Sequence, residues 1–303
     1  MIFHPPLVFA ALTVFALVGC TADGDGVVRM SGTRSSPLRE VSDDALVELS
    51  KARIFFGHQS VGYNLVDGIR DLAARDPRIR LRVLESRNAA DAERGGFLHG
   101  AIGRNTHPNE KDADFLAVLD RGFGQSGDIA FYKYCYVDIQ PGTDVRALFG
   151  AYKHSYETAR ARYPELTIVH VTMPLMVSEG MLAARWKAYR LGYSQRELNA
   201  ARNEFNRLLL AEYGKTGLLF DLARMESSRP DGSREGHQVG GDTVFSLVPE
   251  YTFDGGHLNE PARRFIAERL VAFLARVNAS RVTARPALTV ASTAVRSNVV
   301  SRP

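Results

Sequence analysis

Short apolar runs of the kind that make buried strands alternate along this chain with longer segments of helical apolar spacing. That alternation limits the fold more than any other feature. "RIFFG" (53–57) is β-rich and ends in glycine, and "GYNLVDGIRDLAARD" (62–76) carries apolar residues at helical intervals. "RIRLRVLES" (78–86) alternates with period two. A loop-rich insert (87–111) then precedes a helical "DADFLAVLDRG" (112–122). "DIAFYKYCYVDI" (128–139) reads as a strand, 144–163 as a long helix and "LTIVHVTMP" (166–174) as a third buried strand. A helix over 194–213 ends at Gly214, "GLLFDLAR" (217–224) reads as a further strand, and "EPARRFIAERLVAFLARV" (260–277) as the closing helix. Such a β-α-β-α rhythm predicts one three-layer α/β/α domain with a mainly parallel sheet covered on both faces. No internal repeat is present.

A chain of 303 residues, 45% hydrophobic and 24% charged, can bury one sizeable core. The domain is expected over 42–277, opening on a short helix capped by Ser42 in "SDDALVELSKA". The excess of base sits outside it. Residues 278–303 hold four arginines and no acid, which leaves the body with 34 basic and 34 acidic side chains. A neutral body offers little counterion-release drive toward nucleic acid. The stretch 278–303 lacks helical periodicity and reads as a disordered tail.

At the other end, the apolar run Leu7–Gly19 has 13 residues, short of the ~20 that span a bilayer as a helix. It suits the core of an export signal over 1–20, followed by a polar linker over 21–41. The run ends in "LVGC", which resembles the bacterial lipobox; that resemblance implies lipidation at Cys20 and a membrane anchor at the cell envelope. An ordinary cleaved signal and secretion is the other reading. The only other cysteine is Cys135, so a lipidated Cys20 leaves no partner for an intrachain disulfide. Cys135, inside an apolar strand-like run, reads as a small buried hydrophobe.

Two short motifs carry chemistry. In "FFGHQSVGYNL", Ser60 follows the first core strand and precedes a helix, between Gly57 and Gly62. In a parallel sheet that edge is where ligands bind, and free helix N–H groups there can stabilise an oxyanion. A serine hydroxyl needs a base to attack. "YTFDGGHLNEP" supplies one, with Asp254 three residues before His257 on a glycine-rich turn and Asn259 as the cap of the closing helix. A carboxylate against one imidazole nitrogen fixes the tautomer and leaves the other nitrogen to face the serine.

"GHQS" near one end and "DGGHLN" near the other together resemble the SGNH/GDSL hydrolase superfamily over residues 52–277. The resemblance implies a flavodoxin-like α/β/α esterase in which Ser60 is the nucleophile, His257 the base and then acid, and Asp254 its orienter. It also implies an oxyanion hole, with Gly103 in the place of the second-block glycine. The chain departs from the family at two places. The first block lacks its aspartate, having His58 and Gln59 between Gly57 and Ser60. The third block lacks its asparagine, reading "YKYCYVD". Asn105, in "GAIGRNTHP", is the nearest substitute donor. His58 reads either as a substrate contact or as structural, and Lys133 either reaches the site or turns outward. Trp186 reads as a pocket, core or lid residue. His99, His107 and His237 fall in polar loops without metal-ligand spacing, so neither metal nor organic cofactor is expected. The partner expected is an ester of small-molecule or glycan type. A rival reading is a non-catalytic lipoprotein that binds an envelope glycan or a protein. The Gly-x-Ser-x-Gly elbow of the α/β-hydrolases does not fit, because this chain has Gly-x-x-Ser-x-Gly.

Overall fold

The computed structural model describes residues 36–297, with side chains through 284. The expected export signal, most of the expected linker and Cys20 lie outside the described residues. Six parallel strands form one sheet in the order β2-β3-β1-β4-β5-β6. They are β1 (Arg53–His58), β2 (Val83–Glu85), β3 (Gly96–Ala101), β4 (Ile129–Tyr132), β5 (Thr167–Val171) and β6 (Leu219–Phe220). The helices are α1 (Asp43–Lys51), α2 (Val61–Arg75), α3 (Pro108–Val118), the one-turn α4 (Gly124–Ser126), α5 (Val145–Arg162), α6 (Met181–Leu191), α7 (Gln195–Tyr213), α8 (Leu222–Ser227) and α9 (Glu260–Ser297). A small antiparallel hairpin, β7 (Gly236–Val239) with β8 (Asp242–Phe245), packs beside α7.

Strand β1 has neighbours on both sides and is buried on both faces, so its side chains split between two cores. Ile54 and Phe56 join the residues of α1, α2 and α9, while Phe55 joins those of α3, α5 and α7. Helices α2 and α9 meet without clearance. A Cβ on Gly68 would stand 2.4 Å from the carbonyl oxygen of Arg263 and 2.8 Å from Cβ of Ala267. Arg263 also reaches Asp71 across the same seam (2.9 Å).

Several expectations are corrected. The insert over 87–111 is not all loop, since it contains β3 between β2 and β1. "GFLHGA" is too short and too glycine-rich to show a strand pattern, and its pairing on both sides makes it one. The strands expected over 128–139 and 217–224 are shorter, ending at Tyr132 and Phe220. The expected linker is not all free: Leu38 and Val41 are buried, and Ser36 Oγ donates to Glu268 (2.8 Å). Nor does order end at residue 277. Asn278 is buried, Arg281 pairs with Asp128 (3.1 Å), and the helix continues to Ser297.

His99 lies on β3 and is buried, as is His58 on β1. Arg70 donates to His99 Nε2 (3.2 Å), which leaves His99 Nδ1–H to donate to His58 Nε2 (3.1 Å). His58 is therefore structural. Burial holds it neutral, with its pKa lowered from 6.5 to about 2, and His170, on β5 beneath Tyr213, is lowered to about 3 for the same reason. Both groups take up a proton more readily in the unfolded chain. Their contribution to stability is complete above pH 6.5 and is lost as the pH falls below it. Urea midpoints are expected to drop between neutrality and about pH 5, and His170→Gln should flatten that dependence; an unchanged midpoint in the parent chain would contradict it.

Candidate active site

Ser60 sits at the carboxyl end of β1, where the sheet's connections switch from β3 on one side to β4 on the other. Its backbone has φ 51° and ψ −114°. Gly62 N–H donates to Gln59 O (3.0 Å), so residues 59–62 form a type II′ turn with Ser60 in the position that normally takes glycine. A serine in this sparsely populated conformation costs on the order of 1–3 kcal/mol, and the turn is held by what surrounds it. Gly62 permits the next step, since a Cβ there would lie 2.3 Å from Cβ of His58. The result is a hydroxyl raised at the head of α2.

The second segment folds around Asp254. Its Oδ1 accepts the backbone N–H of Gly256 (2.9 Å) and of His257 (2.8 Å), and its Oδ2 faces His257 Nδ1 at 2.6 Å. Burial alone would raise the carboxyl's pKa. These backbone and imidazole hydrogen bonds outweigh it and hold Asp254 well below the usual carboxylate range. An ionised carboxylate only accepts, so the imidazole proton is assigned to Nδ1 and the Nε2 lone pair is free. Nε2 lies 2.7 Å from Ser60 Oγ. Two clamps fix the turn: Leu258 N–H donates to Asn64 Oδ1 on α2 (3.1 Å), and Val177 N–H donates to Gly255 O (2.9 Å). Asn259 then caps α9 through Ala262 N–H (3.1 Å).

Lys133 turns inward. It is fully buried, directly after β4, and its Nζ donates to Gln59 O (3.0 Å), with Cys135 Sγ 3.6 Å from the same oxygen. Across a trans peptide the C=O and the following N–H point in opposite directions. Gripping the Gln59 carbonyl from below therefore aims Ser60 N–H outward, and among the described residues that N–H has no acceptor. Burial lowers the Lys133 pKa. Tyr136 packs against the imidazole, its ring edge-on to His257 (centroids 5.9 Å apart).

The two oxyanion candidates are placed differently. Gly103 N–H donates to Asp114 Oδ2 (3.0 Å), which removes it from the donors available at the serine. Asn105 is exposed, accepts Lys111 Nζ through Oδ1 (3.2 Å), and has no hydrogen bond to Ser60 or His257. Its loop is tied to the third-block loop by a fully buried ion pair, Lys111–Asp138 (2.5 Å), in which Asp138 also accepts Thr106 N–H (2.9 Å) and Cys135 N–H (2.7 Å). The structure thus brings Ser60, His257 and Asp254 together, ties the Gly103 amide to Asp114, and places Asn105 in an exposed loop with its Oδ1 held by Lys111. Sequence reasoning missed Asn64, Asp114 and Tyr136, because single polar side chains carry no spacing signal. Cys135 is buried and free. Among the described residues no group of three or more His, Cys, Asp or Glu side chains could hold a metal ion.

Solved structures similar to this chain include one assigned as a platelet activating factor from Streptococcus pneumonia (14% identity, TM-score 0.45, covering 78% of this chain and 94% of that one). Another is assigned as a lipolytic protein of the G-D-S-L family from Desulfitobacterium hafniense (9%, 0.43, 73% and 99%). A third is assigned as an SGNH hydrolase from Slackia heliotrinireducens (15%, 0.40, 73% and 97%). No family model matches the chain, and no curated protein matches it.

The strained turn makes a stability prediction. Ser60→Gly should be more stable than Ser60→Ala by about 1 kcal/mol, because glycine alone adopts this φ without cost. Denaturant melts of the two variants measure it, and an equal or lower midpoint for the glycine variant would contradict the strain.

Proposed function

We propose that this chain is a serine esterase of SGNH type that hydrolyses carboxylic esters through a Ser60–His257–Asp254 triad. The observation that carries it is the unbroken pair of contacts, 2.7 Å from Ser60 Oγ to His257 Nε2 and 2.6 Å from Nδ1 to Asp254. A binding module has no need for a hydroxyl strained into line with an oriented imidazole.

His257 Nε2 takes the Ser60 proton as Oγ bonds to the ester carbonyl carbon, and the carbonyl π electrons move onto oxygen. Ser60 N–H, aimed by the Lys133–Gln59 contact, donates to that oxyanion. Collapse expels the alkoxide, which takes the proton from Nε2 and leaves an acyl-serine. Water, deprotonated by the same nitrogen, then releases the carboxylic acid and restores the hydroxyl. Asp254 stays ionised throughout and stabilises the imidazolium. The apolar run ending in "LVGC" supports export, with lipid anchoring through Cys20 or secretion, and esters of the cell envelope or exterior as substrates: O-acyl groups on carbohydrate, or small lipid esters.

Ser60→Ala should abolish p-nitrophenyl acetate hydrolysis in folded protein, and unchanged turnover would refute the assignment. Asp254→Asn is expected to lose roughly 10³–10⁴ in kcat, by analogy with the serine-protease triad, through the wrong imidazole tautomer. Lys133→Met should lower kcat by roughly 10²-fold while KM stays nearly constant, since only the transition state carries the oxyanion. A rise in KM alone, with near-UV circular dichroism preserved, would make Lys133 merely structural.

A further inference from the structure

Helix α6 is the least accommodated element of the fold. Of its residues only Ala184 is buried, while Leu182 is 83% exposed, Trp186 60% and Tyr189 87%. These three stand at i, i+4 and i+7, so at about 100° per residue they share an arc of roughly 60° directed away from Ala184. Arg185 and Arg190 fall on the two borders of that arc. Among the described residues neither has an ion-pair partner, whereas the helix's third cation, Lys187, is paired with Glu179 (3.2 Å). No acid lies within α6. The helix also follows directly from the segment whose Val177 N–H holds Gly255, the middle of the catalytic turn. On that turn Phe253 is 92% exposed, next to Asp254.

We propose that the Leu182–Trp186–Tyr189 face of α6, bordered by Arg185 and Arg190, docks on an anionic lipid surface and so places the serine beside esters held in that surface. An aromatic and aliphatic stripe between arginines is the pattern that lies in the headgroup layer: the rings and Leu182 enter the acyl boundary and the guanidiniums meet phosphate. A second copy of the chain is a poorer occupant, because a symmetric contact of this face would gather four arginines, Arg185 and Arg190 from each copy, into one seam with no acid on α6 to compensate. The docking stands on α6 alone; only the substrate half, an ester drawn from the lipid layer, rests on the hydrolase reading.

Trp186 is the only tryptophan of the chain, so its emission reports this face whatever the N-terminal segment does. The full chain carrying Ser60→Ala, which removes turnover from the measurement, is mixed with vesicles of phosphatidylcholine alone or of equimolar phosphatidylcholine and phosphatidylglycerol. The expected result is a blue shift, with quenching by brominated acyl chains, on the anionic vesicles, at least about tenfold weaker on the neutral ones and weakened by salt. Arg185→Glu with Arg190→Glu should abolish the preference for anionic lipid, and Leu182→Asp with Tyr189→Asp should abolish the shift. In the Ser60-intact chain neither pair should alter p-nitrophenyl acetate turnover, which keeps failure of docking distinct from failure of the hydrolase. No shift on anionic vesicles, an equal shift on both, or a concentration-dependent shift without vesicles would overturn the proposal, the last in favour of self-association.

Discussion

The seam between α2 and α9 is the contact on which the site depends. Each helix begins directly after a chemical segment, α2 after Ser60 and α9 after the turn that holds Asp254 and His257. Packing the two at the distance Gly68 allows, with Arg263 tied to Asp71, brings their N-terminal ends together. Asn64, one turn into α2, then reaches the backbone of Leu258 and completes the register. Two segments 197 positions apart in the chain thereby meet within hydrogen-bond distance. The geometry of the candidate site is a consequence of helix packing in the core.

A second layer of constraint sits beneath the serine. The type II′ turn would favour glycine where Ser60 stands, and the fold holds it by spending buried polar groups. Lys133 and the Gly62 amide both donate to the Gln59 carbonyl, and His58, held by His99, fills the space under Gly62. Removing a charge from such a buried set leaves partners unsatisfied, so these residues bear on stability and on the aim of Ser60 N–H alike. The same economy places Lys111 and Asp138 between the two loops that flank the serine.

Much of this was legible in the sequence. The α/β rhythm predicted a three-layer domain with a parallel sheet, and the sheet is six-stranded and parallel. Strand β3 was not legible, because its pairing rather than its pattern makes it a strand. Ser60, Asp254 and His257 could be singled out because each lies at a strand end or helix start in a glycine-bearing motif. Their partners could not: whether Lys133 pointed in or out, and whether Gly103's amide was free, depended on a carbonyl and a carboxylate more than ten positions away. Likewise "MLAARWKAYRL" reads as an ordinary helix with a tryptophan until burial shows that its apolar arc faces solvent.

The central claim is that His257 activates Ser60, and fluorophosphonate labelling followed by peptide mass spectrometry tests it most directly. The account predicts a single adduct on Ser60 of the folded chain, formed at least about a hundredfold more slowly in His257→Gln, whose amide cannot accept the hydroxyl proton. No adduct on Ser60, or an adduct formed as fast without the imidazole, would contradict it.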